Sequence, residues 1–407
     1  MLQKILTSAG IDPRTCAELL GFNPQVFQQW ASGQTRIPDS VVPLLSAVLS
    51  VSPSVLTEGP KAMRNLQDSE VMPQIWYKFR GPHLVESDRE YVILVRQIGH
   101  FLNELEEVTR QKSVQWRSLF ETIRTTTDIQ APPTEQGKMA ARILRASTSL
   151  GHGATGAGEV LRGMLRAWGI LVIETPLPES RIEGCSFYVG SANAARPCAF
   201  ANTHHTTWFR RNAILMHEIG HAIFEPFTGA TLDFVDSETK DEAIELRAQA
   251  FAQEALIPKD VLFHAAQSIG LKWSALSETS LAQLVAATHV EQRMVAAAAI
   301  DAGFLLPEKR EDVNRTDLSI VLRQFSDHAL TTEEYLQKKG EDSHDWIGKR
   351  TTTLAPKSIR LPIGYVNSVV EAYRNRQISP AKAAEYLIVD EREFLDRFGD
   401  IYENAEI

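Results

Sequence analysis

Apolar residues recur every three or four positions along most of this chain, separated by polar, glycine- or proline-bearing breaks, a pattern that predicts helices. In the first sixty residues it gives a short helix, a turn at Gly21, and a second helix capped by Asn23 with Pro24 at its first position; an apolar helix follows, ending near Val51. Residues 72–80 are extended and aromatic. A long helix starting at Ser87 carries Tyr91, Val95, Ile98, Leu102 and Leu105 at heptad-like spacing, which suits either a dimer seam or ordinary packing. The middle of the chain breaks the helical period. Residues 170–175 are rich in β-branched residues and follow a helix ending at Trp168-Gly169, and residues 185–189 and 197–201 are short apolar runs between Gly, Ser and Asn; these predict a small sheet. Helices then resume over 212–224 and over 238–256, the latter capped by Ser237 and stopped by Pro258. An alanine-rich pair breaks near His289-Val290, residues 330–334 cap a further helix, residues 351–362 read as a loop, and 366–398 give three short helices. The predicted fold is mainly α with a small β-sheet, an α+β class.

The motif regions and the connector between them divide the chain into four parts: an all-α N-terminal unit at 1–65, a connector with the long helix at 66–133, a mixed core at 134–308, and a helical C-terminal unit at 309–407. Residues 125–133, with Ala131-Pro132-Pro133, read as the linker into the core. A G-x-G-x-x-G at Gly151, Gly153 and Gly156 follows a helical stretch rather than a strand, so it is rejected as a nucleotide site.

The candidate chemistry lies at His217-Glu218-Ile219-Gly220-His221, an H-E-x-x-H. On a helix two histidines four apart share one face, so both imidazoles can reach one metal ion, and Glu218 beside them can take a proton from an attacking water. A third ligand is available on the following helix, where Glu245, Ala248, Ala252 and Ala255 share a face. The small residues allow close packing, with Glu245 the polar group pointing across. Glu225, Glu238 and Glu242 are rival carboxylates, Glu242 the strongest because it lies one turn before Glu245. Two histidines, one carboxylate and an open fourth position describe a catalytic zinc site rather than a structural one. His204 and His205, just upstream, are candidates for oxyanion or substrate contact, although paired surface histidines are more often solvated. The sheet offers a further possibility: an edge beside the metal helix can hold an extended peptide by main-chain pairing, and a sheet that only covers the helices fits the sequence equally well.

These residues carry a resemblance. RNAILMHEIGHAIF followed by ELRAQAFAQEALIP is similar to the ImmA/IrrE family of bacterial zinc metallopeptidases, in which H-E-[LI]-G-H is followed by E-x-x-A-x-x-F-A and a leucine-proline stop. Here the second element is Glu245, Ala248, Phe251, Ala252 and Pro258, and the likeness spans roughly 135–305. The resemblance implies a gluzincin-like core with His217, His221 and Glu245 as metal ligands, Glu218 as general base, and one Zn2+ per chain, with Mn2+ or Fe2+ able to take its place. It also implies a helix-turn-helix repressor as protein substrate, cleaved in stress or mobile-element control. Family members often carry a further histidine where this chain has Phe224-Glu225-Pro226.

The N-terminal unit resembles the Xre/Cro-type helix-turn-helix, through Ala17, Leu20-Gly21, Trp30, Gly33 and Pro38. Recognition residues would project from Gln25, Gln28 and Gln29, since glutamine pairs with the adenine edge in the major groove, and Arg36 would touch a phosphate. Charge tempers this: residues 1–60 carry Lys4, Arg14 and Arg36 against Asp12, Glu18, Asp39 and Glu58, and phosphate contacts dominate DNA affinity. Pairing with another helix-turn-helix protein is the competing use. Residues 378–387 again look like the start of a helix-turn-helix, but the tail from Asp390 to Glu406 is acidic and favours a protein contact.

With 407 residues, 43% of them hydrophobic, the chain can hold two to four domains with proper cores, and a net charge of −9 argues against indiscriminate coating of nucleic acid. Cys16, Cys185 and Cys198 are too few and scattered for a disulfide scaffold, although one cysteine could fill the open metal position as an inhibitory ligand. Lys4, Gly10 and Pro13 interrupt any signal-peptide pattern, and no run of ~20 apolar residues spans a membrane, so a cytoplasmic protein is expected. Two functional classes remain. One is a zinc endopeptidase; the other is a DNA-binding or antitoxin-like regulator whose metal site is structural. The presence of a base favours the first, because a structural site needs none.

Overall fold

The computed structural model describes residues 2–8, 12–49, 51, 53–58, 76–79, 86–110, 115–148, 150, 156–178, 180, 182–189, 196–204, 206–225, 238–330, 334, 347–351, 356–361 and 363–399. The chain opens with α1 (Leu2–Ser8), α2 (Pro13–Leu20), α3 (Pro24–Ser32), α4 (Val42–Leu49) and α5 (Pro53–Glu58). Local chemistry sets these limits: the Asp12 carboxylate accepts from the backbone of Arg14 and Thr15, Asn23 caps α3 in the same way, and Gly21 and Gly33 end their helices in the left-handed region. Strand β1 (Trp76–Phe79) and the long α6 (Glu86–Val108) follow, then α7 (Trp116–Thr126), α8 (Pro133–Ala146) and α9 (Gly158–Trp168). Next come β2 (Leu171–Thr175), β3 (Ile182–Val189), β4 (Arg196–Asn202), α10 (Trp208–Phe224), α11 (Glu238–Leu256) and α12 (Lys259–Ser268). The remainder is α13 (Glu278–Thr288), α14 (Gln292–Asp301), α15 (Arg310–Arg315), α16 (Ser319–Leu322), a hairpin of β5 (Ile347–Thr351) and β6 (Pro356–Arg360), and α17 (Ile363–Arg374), α18 (Pro380–Tyr386) and α19 (Glu391–Phe398).

The main sheet has the order β1-β3-β4-β2, with β2 parallel to β4 and the other pairs antiparallel. It separates two cores because its faces alternate. Gly184, Ser186, Ala199 and Ala201 fall on one face, where α10 packs; the outer face carries Leu171, Ile173, Phe187, Val189 and Phe200. That outer face joins α6 (Tyr91, Ile98, Phe101), the N-terminal helices (Leu45, Val48) and the C-terminal helices (Val369, Phe394) in one hydrophobic cluster. Polar links cross the same boundary. Arg96, fully buried, donates to the Val48 carbonyl at 2.9 Å; Arg196 pairs with Glu106 at 2.7 Å; Lys382 pairs with Glu104 at 2.9 Å.

The structure refines the sequence reading in three places. The apolar stripe of α6 is buried within the chain, Leu102 only partly, so it packs as core and not as an exposed seam. Within 351–362, expected as a loop, Thr351 closes β5 and Pro356–Arg360 forms β6, paired antiparallel from Ile347↔Arg360 to Thr351↔Pro356. Residues of 2–56 and of 361–398, separated by sequence, share one core around α6, whereas Val313, Leu318 and Leu322 belong with the second core, as does α7 through Trp116, Phe120 and Ile123. Of the expected helix near 330–334, only residues 330 and 334 are among those described. Gly156 has a packing role: its N–H donates to the Ala287 carbonyl at 2.7 Å, and a Cβ there would meet the backbone of Thr288. Residues 151–155 of that glycine motif lie outside the described set.

Candidate metal centre

Helix α10 starts where the Thr207 hydroxyl accepts from the Arg210 N–H, and it is buried almost all round from Asn212 to Ile223. Such burial requires small neighbours. The sheet supplies Gly184 and Ala201 above, and Gly220 lets α11 approach, a Cβ there lying 3.1 Å from Ala248 Cα. The last carbonyls of α10 are satisfied by side chains: Tyr188 donates to Ala222 at 2.6 Å and Arg124 to Ile223 at 3.3 Å.

His217 and His221 therefore project together toward α11, which presents Glu245. The two Nε2 atoms are 3.0 Å apart, and the Glu245 oxygens lie 3.2 Å from His217 Nε2 and 3.3 Å from His221 Nε2. Zinc with bonds of about 2.0–2.1 Å in tetrahedral geometry sets its donors about 3.3 Å apart, so this triangle fits such an ion. Among the described residues it is the cluster able to hold a metal. Electrostatics agree with a cation at this point. Burial pushes the His221 pKa down, but hydrogen bonds with Glu225 and Glu245 outweigh it and set the value at about 10. Burial favours neutral Glu245, yet the two histidines hold its carboxyl well below the usual range. Binding a dication there releases a proton.

Glu218 lies on the sheet side of α10, 1% exposed, against the Cα of Gly184. Glu225, a rival ligand in the sequence, sits behind His221: its Oε2 is 3.3 Å from Nδ1, and its other oxygen pairs with Arg247. Arg247 in turn donates to Gln136 Oε1 at 3.1 Å and lies 4.5 Å from the Phe224 ring. A carboxylate on the far nitrogen of a ligating histidine fixes its tautomer and orientation. The i, i+4 spacing from His221 to Glu225 was the sequence signal for this contact.

A second network, absent from the sequence reading, anchors the start of α10. Arg162 grips Glu174 with two bonds, at 2.6 and 2.7 Å, and donates to Asn212 Oδ1 at 2.8 Å; Asn212 donates to the His289 carbonyl at 2.8 Å. Arg210 pairs with Glu183 of β3 at 2.5 Å and with Glu291 before α14. Beside the cluster, α10, α11, α14 and α15 enclose a cleft of about 510 Å³ with His217 and Glu245 in its wall.

The other sequence candidates are dispersed. His204 is exposed after β4, its N–H bonded to Asn202, and does not line the cleft; His205 lies outside the described residues. The side chains of Glu238 and Glu242 also lie outside them. No cysteine joins the cluster: Cys16, Cys185 and Cys198 are buried, and burial pushes their thiols up, Cys16 to about 12. Gln25, Gln28 and Gln29 are exposed on α3, and Arg36 is held by Asp39 at 2.9 Å. The β3 edge is not open, because β1 pairs with it, Lys78 opposite Gly184.

A helix-borne histidine pair, a glutamate from the next helix and an adjacent carboxylate are the makings of a metallohydrolase site. Residues 166–272 match the peptidase M78 family profile, described as an IrrE N-terminal-like domain; the matched segment holds β2–β4 and both helices of the cluster. No curated protein and no solved structure matches the chain. Among the described residues, no helix is long and apolar enough to cross a membrane.

Proposed function

We propose that this protein is a zinc-dependent endopeptidase with His217, His221 and Glu245 as metal ligands and Glu218 as general base. The observation that carries the reading is the convergence of three donors, 3.0–3.3 Å apart, two of them in the wall of a cleft, with a buried carboxylate on the histidine-bearing helix. A zinc ion held by His217, His221 and Glu245 would supply Lewis acidity, lowering the pKa of a water towards about 7 and polarising the scissile carbonyl. Glu218 takes the proton of the attacking water and passes it to the leaving amine. The histidines cannot serve as base while their Nε2 atoms are committed to ligation. Glu225 and Arg247 hold the His221 ring in its productive orientation.

The substrate reading, a helix-turn-helix repressor cut in stress or mobile-element control, rests on the family likeness of the core and is an argument by analogy. A second reading is supported by α2 and α3, which meet at the left-handed Gly21 and expose Gln25, Gln28 and Gln29. In it the N-terminal unit is a helix-turn-helix that docks on operator DNA or on a partner protein, and the metal site is structural.

Metal content per chain, measured by elemental mass spectrometry on the wild type and Glu245→Ala, tests the first reading. About one zinc in the wild type and little in the variant supports it. No metal in either after zinc reconstitution rejects it.

A further inference from the structure

We propose that the cleft beside the metal cluster selects peptides bearing acidic side chains, held by Arg293 and Arg310; this deepens the peptidase reading and rests on it. Four arginines and three carboxylates line the cleft: Arg210, Arg293, Arg310 and Arg315 against Glu245, Glu291 and Glu311. Every one of the carboxylates is already committed. Glu245 faces the two histidines, Glu291 pairs with Arg210, and Glu311 pairs with Arg315 at 2.8 Å. Arg210 is doubly held, its second partner being Glu183. Arg293 and Arg310 remain: both are exposed, and neither guanidinium has an ion-pair or hydrogen-bond partner among the described residues.

These two cations stand out against a chain whose net charge is −9. Each is anchored on a helix, Arg293 in the first turn of α14 and Arg310 at the first position of α15. The remaining wall is neutral. Gln249, Gln253 and Asn314 offer hydrogen bonds suited to a peptide backbone, and Ile214 and Met294 give apolar contact. Guanidinium groups pair with carboxylates through two parallel N–H···O bonds, so a glutamate or aspartate reaching this end of the cleft gains both charge and geometry. A nucleic-acid backbone suits the cleft less well, because a phosphate chain would run past Glu245, Glu291 and Glu311.

Binding is measured on the full chain carrying Glu218→Gln, loaded with zinc, so that peptides are not consumed. The probes are fluorescently labelled nonapeptides of one neutral frame in which a single position carries Glu, Gln or Lys in turn. Expected is a position at which the Glu peptide binds at least tenfold more tightly than the Lys peptide. That advantage shrinks with added salt and disappears when Arg293→Gln and Arg310→Gln are added; the melting temperature of this triple variant is followed to show that the fold persists. Equal binding of the three peptides, absence of binding by all of them, or an advantage that survives the two substitutions would overturn the inference. Wild-type cleavage separates this failure from that of the peptidase reading. Charge-indifferent cleavage rejects the selectivity alone, whereas no zinc and no cleavage of any peptide rejects the peptidase.

Discussion

Gly184 of β3 touches Glu218 of α10: a Cβ on the glycine would lie 3.1 Å from the carboxylate Oε1 and 2.3 Å from Ile214 Cγ2. The strand and the base are thus fitted to each other with no room for a methyl group. Gly184→Ala is expected to cost about 1–3 kcal/mol of stability through overpacking, to displace Glu218, and to leave the three metal donors in place. Thermal unfolding, zinc content and peptide cleavage, measured together, check this. An unchanged melting temperature would show that the strand moves aside freely.

Glu218→Gln keeps the shape of the side chain and removes its basicity. Zinc content is expected to stay near that of the wild type while cleavage falls by about 10²–10⁴-fold, the usual contribution of a general base. Retained cleavage would remove Glu218 from the mechanism.

Glu225 acts through His221. Glu225→Ala leaves the back of the ring and Arg247 without their carboxylate, and zinc affinity is expected to fall about 10–100-fold. Competition with a fluorescent chelator measures it. An unaltered affinity would make the contact incidental.

Glu104 joins α6 to α18. Burial opposes its ionisation, but hydrogen bonds and charge from His100 and Lys382 lower its pKa from 4.5 to about 2. A pKa depressed by folding gives stability that is present above about 4.5 and is lost as pH falls towards about 2. Glu104→Gln is therefore expected to destabilise by about 1–2 kcal/mol at pH 7, a charged hydrogen bond partly screened by water. The gap between wild type and variant should close on acidification. Melting curves between pH 7 and pH 2 follow this, and a gap independent of pH would exclude the ionic explanation.

For the N-terminal unit, a mobility-shift screen across genomic fragments tests DNA recognition. The DNA-docking reading expects a preferred fragment and its loss in Gln28→Ala. Absence of any preference leaves protein docking as the role of α3.

Much of this architecture was legible because it is local. The Asn23 cap, the left-handed Gly169 and the run rich in β-branched residues at 170–175 fix their elements within a few residues. The His217–His221 spacing and the small face of α11 placed the metal candidates for the same reason: helical periodicity converts sequence distance into direction. The grouping of the terminal segments around α6 was not legible, because it depends on contacts such as Arg96 to Val48 and Lys382 to Glu104 that no short window contains. Residues 356–360 misled through their Pro, Lys and Ser content, which suits a loop; pairing with Ile347–Thr351 overrides that preference. Arg162 and Glu174 lay on predicted elements, and only the fold shows that they meet.

The sheet is a partition wall that the chain clads on both sides, and this bears on how far the molecule can be cut down. The stretch 166–272 contributes three of the wall's four strands and the metal helices but little of the outer cladding, which comes from α6 and the terminal helices. Trimmed to that stretch, the protein would present Leu171, Ile173, Phe187 and Phe200 to water, each a loss of about 1.5–3 kcal/mol. The expected outcome is an aggregating fragment, checked by expressing 166–272 alone and alongside the remaining pieces. What surrounds the metal helices is then as much a condition of their chemistry as the donors themselves.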